Sequence, residues 1–253
     1  MPTARIEVKE GRKEMAKPAG QYGVQVTWLW RSAFQLVSPE GLTILIDPWL
    51  KNNPLCPAEY KDLDKVRVDV ILFTHGHGDH EGDTVELAKM TGAKVVASVD
   101  QREPLVQKGL KPDQIVYLSY GGTVSVSGIT ASMVPAWHTA APPSSVGFVV
   151  GFSSGFKIYH AGDTSIFSDM ALIKTLYEPQ LCLIPVGGLY TMDDRAASLA
   201  CREYLKPQFA IPMHYPANPR ETPSDECAQK FSQQLQGSGT EVIIMKPGET
   251  VSF

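Results

Sequence analysis

The stretch Val68-Asp69-Val70-Ile71-Leu72-Phe73-Thr74-His75-Gly76-His77-Gly78-Asp79-His80 decides how the rest of the chain is read. Its first seven residues are almost continuously apolar, the pattern of a short strand buried on both faces. Three of the chain's six histidines and an aspartate then fall within six residues. The intervening glycines predict a sharply bent backbone on which side chains at i, i+2, i+4 and i+5 converge. His75 and His77 can then grip one cation, while Asp79 and His80 point differently and can hold another. Neutral imidazoles with a carboxylate suit zinc, iron or manganese, and the lack of thiolates argues against a closed structural zinc site. A plain His-rich surface loop is the competing reading, and it does not explain a cluster placed directly after a buried strand.

Working outward, residues 24–29, 33–37 and 42–46 are rich in β-branched and aromatic side chains and predict an antiparallel meander. Pro39-Glu40-Gly41 turns the chain into the third of these runs, and Asp47-Pro48 ends it. Downstream lie a helix over 82–90, a strand over 95–98 and a helix over 101–108 that Gly109 stops. Runs at 115–118, 123–126, 130–134, 146–152 and 157–159 form a second β-rich block. The last third alternates helices at 166–177, 193–205 and 224–236 with strands at 181–186, 209–212 and 242–245. Such a chain is an α/β (α+β) protein, two mixed sheets with helices on their outer faces. Residues 1–21 are polar, with Pro18 and Gly20, and read as a flexible N-terminal arm; residues 22–253 read as a single domain.

Three more residues take equivalent places. His138 follows the run at 130–134, Asp163 the run at 157–159, and His214 the run at 209–212. Each falls just past the C-terminal end of a strand, where α/β architectures gather their functional side chains. Any one of them alone would be read as a packing or capping residue. Four strands delivering to one edge make a site.

The order His-x-His-x-Asp-His, then a distant His, Asp and His, resembles the ligand order of the metallo-β-lactamase superfamily. The flanking segments VTWLWRSAFQLVSPEGLTILIDPWL, ILFTHGHGDHEGD, VPAWH, YHAGDTSIFSDM, PVGGLYTMDD and LKPQFAIPMHY are similar to the branch of ascorbate-6-phosphate lactonases and metal-dependent hydrolases. The similarity runs from about Val24 to the C-terminus. It implies a four-layer αββα sandwich with two divalent metal ions at one edge, zinc first, with manganese or iron as alternatives. Carried over by position, His75, His77 and His138 would hold the first ion, Asp79, His80 and His214 the second, and Asp163 would bridge them. Ions roughly 3.5–4 Å apart can share a hydroxide that attacks a carbonyl carbon or phosphorus. The expected activity is hydrolysis of a small ester, lactone or phosphodiester, with Asp79 as the catalytic side chain that orients the hydroxide.

Two departures from the family pattern bear on the substrate. Trp30-Arg31 stands where Gly-His is frequent, and the loop over 139–145 is short; neither is expected to touch a ligand. His160, three residues before the bridging position, is expected to point away from the Asp163 loop in a supporting role. Trp28, Trp30, Trp137, Tyr190 and Tyr215 lie near strand ends or ligands; Arg31, Trp137 and Tyr190 are the substrate-binding candidates, Arg31 for an anion. For Trp28, core packing is the expected role.

Gly151-Phe152-Ser153-Ser154-Gly155 also matches G-x-S-x-G, with Asp163 and His214 following in the order of a Ser-His-Asp hydrolase. A nucleophile elbow needs a strand–turn–helix, whereas this match lies between two β runs. A di-metal oxidoreductase and a non-catalytic metal-binding protein are further alternatives on the same ligand set; no flavin-binding domain is appended, which weighs against the first.

Composition narrows the class of partner. The 253 residues hold 23 basic and 27 acidic side chains, a formal net charge of −4, and that supplies no electrostatic footprint for nucleic acid or anionic lipid. No apolar run approaches the roughly 18 residues that span a bilayer, and residues 1–20 lack the apolar stretch of a secretory leader. Cys56, Cys182, Cys201 and Cys227 are scattered, which predicts reduced thiols in a cytoplasmic protein. The partner expected is a small-molecule substrate, with no nucleic acid and no membrane; the resemblance adds a homo-oligomer.

Overall fold

A computed structural model describes residues 20–140, 145–216 and 224–253. The expected N-terminal arm lies outside the described residues except for its last two, and the loop over 139–145 lies largely outside them.

Among the described residues fourteen short strands form two sheets. In chain order they are β1 (Gln25–Trp28), β2 (Phe34–Val37), β3 (Thr43–Ile46), β4 (Val70–Leu72), β5 (Lys94–Ser98), β6 (Ile115–Leu118), β7 (Thr123–Val126), β8 (Ile129–Pro135), β9 (Val146–Gly151), β10 (Lys157–His160), β11 (Leu181–Pro185), β12 (Phe209–Met213), β13 (Glu241–Val242) and β14 (Thr250–Ser252). The first sheet has the order β14-β1-β2-β3-β4-β5-β6 and the second β13-β12-β11-β10-β9-β8-β7. In each, an antiparallel meander joins a parallel half: β1 to β3 and then β3 to β6 in one, β7 to β10 and then β10 to β13 in the other.

Side-chain alternation explains why residues 70–73 of the deciding run are apolar throughout. Val70 and Leu72 point into the core between the sheets, whereas Ile71 and Phe73 join a second core outside the first sheet. Ile44 and Ile46 against Leu45, and Val96 against Val95 and Ala97, repeat the pattern on β3 and β5. A period of two with both faces apolar is what a sheet covered on both sides requires. The outer core takes Leu87, Ala88 and Leu105 from the helices Thr84–Thr91 and Arg102–Gln107. On the far side, helices Met170–Tyr177, Asp194–Leu199 and Glu226–Gln234 bring Ile173, Ala197 and Phe231 against the second sheet. The result is the expected αββα sandwich. No helix among the described residues is long and apolar enough to cross a membrane.

Strand direction sets the position of the site. In the first sheet β1, β3 and β4 run the same way, because two antiparallel steps restore the direction; in the second, β8, β10, β11 and β12 do. Every expected ligand follows one of these strands. The strand β14 lacks a sequence signal because it is three residues long; it closes the edge of the first sheet beside β1, with Thr27 Oγ1 and Thr250 Oγ1 2.8 Å apart.

The bend in the ligand loop arises differently from the expectation. Neither Gly76 nor Gly78 adopts a positive φ, and a Cβ at Gly78 would meet nothing within 4 Å. Instead Gly78–Glu81 forms one helical turn, with His80 N and Glu81 N donating to His77 O at 2.9 and 2.8 Å. The glycine that the turn needs is Gly82: its φ is +44°, and a Cβ there would lie 2.5 Å from Pro48 O and Trp49 Cα.

Candidate metal centre

The loops after β4, β8, β10 and β12 meet at one edge of the sandwich. His75, His80 and His214 are buried there, as is Asp163, and His77, Asp79 and His138 are half-buried above them. A cleft of about 570 Å³ opens over the group, lined by Arg31, His77, Asp79, His138, Asp163 and His214, with Trp49 and Tyr190 on its walls.

The polar atoms converge in two sets around one carboxylate. His75 Nε2 and His138 Nε2 lie 3.0 and 3.2 Å from His77 Nδ1. His80 Nε2 lies 3.2 Å from Asp163 Oδ1, and His214 Nε2 lies 3.0 Å from Asp163 Oδ2 and 3.8 Å from Asp79 Oδ2. Asp163 Oδ2 also stands 3.6 Å from His138 Nε2, so the carboxylate touches both sets. Donor atoms of His75, His77 and His138, of His75, His80 and Asp163, and of Asp79, His80 and His214 lie within 4.8 Å of one another.

This arrangement fits divalent cations. Donors about 2.0–2.1 Å from a tetrahedral ion are roughly 3.4 Å apart, and the separations here bracket that value. The Nε2 atoms of His80 and His214 are buried without a hydrogen-bond partner; the Asp163 oxygens beside them are close but out of hydrogen-bond alignment. A buried polar atom left unpaired is costly, and a cation supplies the missing partner.

Electrostatics without the ions follow from burial and the two carboxylates. Burial, then the neighbouring His80, pushes the His75 pKa far below the ordinary imidazole value, and burial does the same to His138 to a lesser degree. Burial opposes charge on His80 as well, yet Asp163 and Asp47 on its two sides outweigh it and raise its pKa well above the ordinary value. Burial would raise Asp163 and Asp79; the attraction of His214 and His80 holds Asp163 well below the usual carboxylate range, and His80, His214 and Arg31 lower Asp79.

Supporting residues fix the ligands. Asp47, buried at the end of β3, accepts from Thr74 N at 2.8 Å, from Thr74 Oγ1 at 2.6 Å and from His80 Nδ1 at 2.6 Å. It thereby turns His80 Nε2 toward Asp163. In the sequence this residue reads only as a strand stop; its place past a strand end, like that of the ligands, is the signal that would have found it. Asp83 accepts from Leu50 N and Lys51 N at 2.7 and 3.0 Å and so pins the segment carrying Asp47 to the ligand helix turn.

His160 does not point away from the Asp163 loop as expected. Its Nδ1 accepts from Gly162 N at 3.1 Å and its Nε2 donates to Ser32 O at 2.9 Å, which fixes one neutral tautomer. Burial lowers its pKa and keeps it neutral. It therefore holds the loop that carries Asp163, as a supporting residue. Gly162 has φ +63°, and a Cβ there would lie 2.5 Å from Val146 O.

Arg31 also departs from expectation, because it does touch a ligand: its Nη2 lies 3.3 Å from Asp79 Oδ2 and its Nη1 donates to Pro216 O at 2.5 Å. Trp30 and Arg31 have φ of +80° and +53°, a left-handed pair at positions where glycine would be unstrained. Trp30 is buried, and its stacking on Trp49 at 5.9 Å between centroids helps hold the turn. Trp28 is in the core as expected, and Tyr215 is buried too, whereas Trp137 and Tyr190 are exposed, at 67% and 57%. Ser153 of the G-x-S-x-G match lies in the turn between β9 and β10 and hydrogen-bonds to Glu40, while Asp163 and His214 belong to the cation cluster; no triad forms.

Comparison with known proteins gives the family. The family model described as the beta-lactamase superfamily domain matches residues 43–215. A UPF0173 metal-dependent hydrolase of Polaromonas sp. (strain JS666) is 42% identical over 249 residues, covering 90% of this chain and 89% of its own. One from Koribacter versatilis is 41% identical and covers 91% and 98%. The solved structure of Igni18, a metallo hydrolase from Ignicoccus hospitalis, superposes with a TM-score of 0.80 at 35% identity, covering 91% of this chain and 98% of that one. Family match, near-full-length relatives and fold together place the chain in the metallo-β-lactamase superfamily, among its metal-dependent hydrolases.

Proposed function

We propose that this chain hydrolyses a small ester, lactone or phosphodiester at a centre of two divalent cations, zinc first, with manganese or iron as alternatives. His75, His77 and His138 would hold one ion, Asp79, His80 and His214 the other, and Asp163 both. The observation that carries this reading is the Asp163 carboxylate, whose Oδ2 stands 3.6 Å from His138 Nε2 and 3.0 Å from His214 Nε2, between the two sets. Bound cations would lower the pKa of water from about 15.7 to roughly 7 and so supply a nucleophile at neutral pH.

The chain's own residues do the rest. Asp79 faces the cleft with Oδ2 held by Arg31, so the plane of its carboxylate is set and can orient the attacking water. Trp137 and Tyr190 are the substrate contacts, both exposed beside the ligands. Exhaustive chelation is expected to abolish hydrolysis of an activated ester and added metal to restore it, while a serine-reactive phosphonate leaves the rate unchanged. Full activity in the metal-free protein would overturn the reading.

Arg31, engaged by Asp79 and Pro216, is assigned the task of holding Asp79. Arg31→Ala should lower kcat by about tenfold, on the scale of supporting contacts to a metal ligand, with KM nearly unchanged. If only KM for anionic substrates rises, Arg31 binds substrate directly.

A further inference from the structure

Beside the metal cleft lies a second hollow, of about 490 Å³, and the two share His138 and Thr139 as a common wall. Among the described residues its remaining lining is Tyr120, Pro135, Ala136, Trp137 and Ser165, without a charged side chain. Trp137 is 67% exposed and Tyr120 50% exposed, so two large rings are presented to solvent directly next to a candidate ligand.

These rings are held in place. Trp137 N donates to Thr164 Oγ1 at 2.9 Å, and Trp137 O accepts from Ser165 N at 2.8 Å. The indole stacks on Phe167, with centroids 6.4 Å apart and planes 21° apart. Tyr120 donates its hydroxyl to Ser145 O at 3.3 Å. An exposed tryptophan with a fixed backbone and an oriented ring is a preformed platform for apolar or planar groups.

Charge points the same way. Among the described residues Arg31 is the one Lys or Arg lining either hollow, and it is bonded to Asp79 and Pro216. A substrate with a phosphate or carboxylate remote from the reacting bond would meet rings and prolyl carbons there, and desolvating that charge without a partner is costly.

We propose that the Trp137–Tyr120 shelf binds an uncharged apolar portion of the substrate, aliphatic or aromatic, so that the chain acts on hydrophobic esters or lactones. This rests on the hydrolase reading of the adjoining centre, and the test separates the two. Methyl ketones, which mimic the ester carbonyl without being cleaved, are titrated into the metal-loaded protein and their Kd measured by ligand-observed NMR. From 2-butanone to 2-octanone the affinity should rise at least tenfold, with 4-phenyl-2-butanone at or above the upper end. A carboxylate at the far end of the same chain should cancel most of that gain. In Trp137→Ala, with metal content and Tm unchanged, the dependence on chain length should flatten to within about threefold, and Trp137→Phe should restore part of it.

An affinity independent of chain length in the unaltered protein, tighter binding of the carboxylate-bearing ketones, or a dependence that survives in Trp137→Ala would each overturn the shelf. Matched esters are assayed in parallel. Failure to cleave any of them, with the ketone trend intact, counts against the hydrolase reading alone; cleavage with a flat ketone series counts against the shelf alone.

Discussion

Asp163→Ala is expected to lower kcat by on the order of a thousandfold, about 4 kcal/mol of barrier at 1.36 kcal/mol per tenfold, and to reduce bound metal from the two ions per chain of the proposed centre to one or none. Asp163 is the carboxylate that reaches both donor sets among the described residues, standing 3.2, 3.6 and 3.0 Å from His80, His138 and His214. Gly162 and His160 fix the loop that carries it. Metal analysis and steady-state kinetics on the same preparation check the result; a variant with two ions and full turnover would refute the bridging role. The metal-free protein adds a pH signature. The folded pKa of Asp163 lies well below its unfolded value. Its contribution to stability is therefore present above about pH 4, the unfolded value, and is lost as pH falls through the folded pKa. The variant should show a weaker acid loss of stability than the parent.

Asp47→Ala should weaken metal binding by about 10- to 100-fold, the range for partners that orient a ligand histidine, and should destabilise the fold as well. Its carboxylate is fully buried and accepts three hydrogen bonds, from Thr74 N, Thr74 Oγ1 and His80 Nδ1. Removing it leaves buried donors unpaired, at about 1–3 kcal/mol each. It also releases His80 to rotate away from Asp163. Asp47→Asn keeps an acceptor for Thr74 N and should fall between parent and alanine variant. Chelator competition reports the affinity and thermal unfolding the stability; an alanine variant that binds metal as tightly as the parent would remove Asp47 from the site.

The difference between Asp163 and Asp47 shows what the sequence makes legible. His75, His77, Asp79 and His80 crowd into six positions, and the other three candidates follow strands with clear apolar runs. The sandwich was readable for the same reason, since residues 44–46, 70–72 and 95–97 are apolar in unbroken runs and buried on both faces of the sheet. Asp47 was hidden because Asp-Pro is also the ordinary chemistry of a turn, and its task depends on β3 lying beside β4. The need for Gly82 was hidden likewise, since it arises from the Pro48 backbone, far away in sequence. The Arg31–Asp79 pair and the bond from His160 to Ser32 O join segments far apart in sequence, which no local pattern encodes.

Thr164 also has a meaning for how such a protein changes over generations. Its hydroxyl receives Trp137 N and its carbonyl receives Met192 N at 3.0 Å, so the loops after β8, β10 and β11 are stitched together through their backbones. Side chains at Trp137 and Tyr190 project from this frame, with Tyr120 beside Trp137 on the turn between β6 and β7, and none of the three takes part in the stitching. Selection, or a library randomised at those three positions, can therefore redraw the range of accepted molecules while the reacting centre is inherited intact.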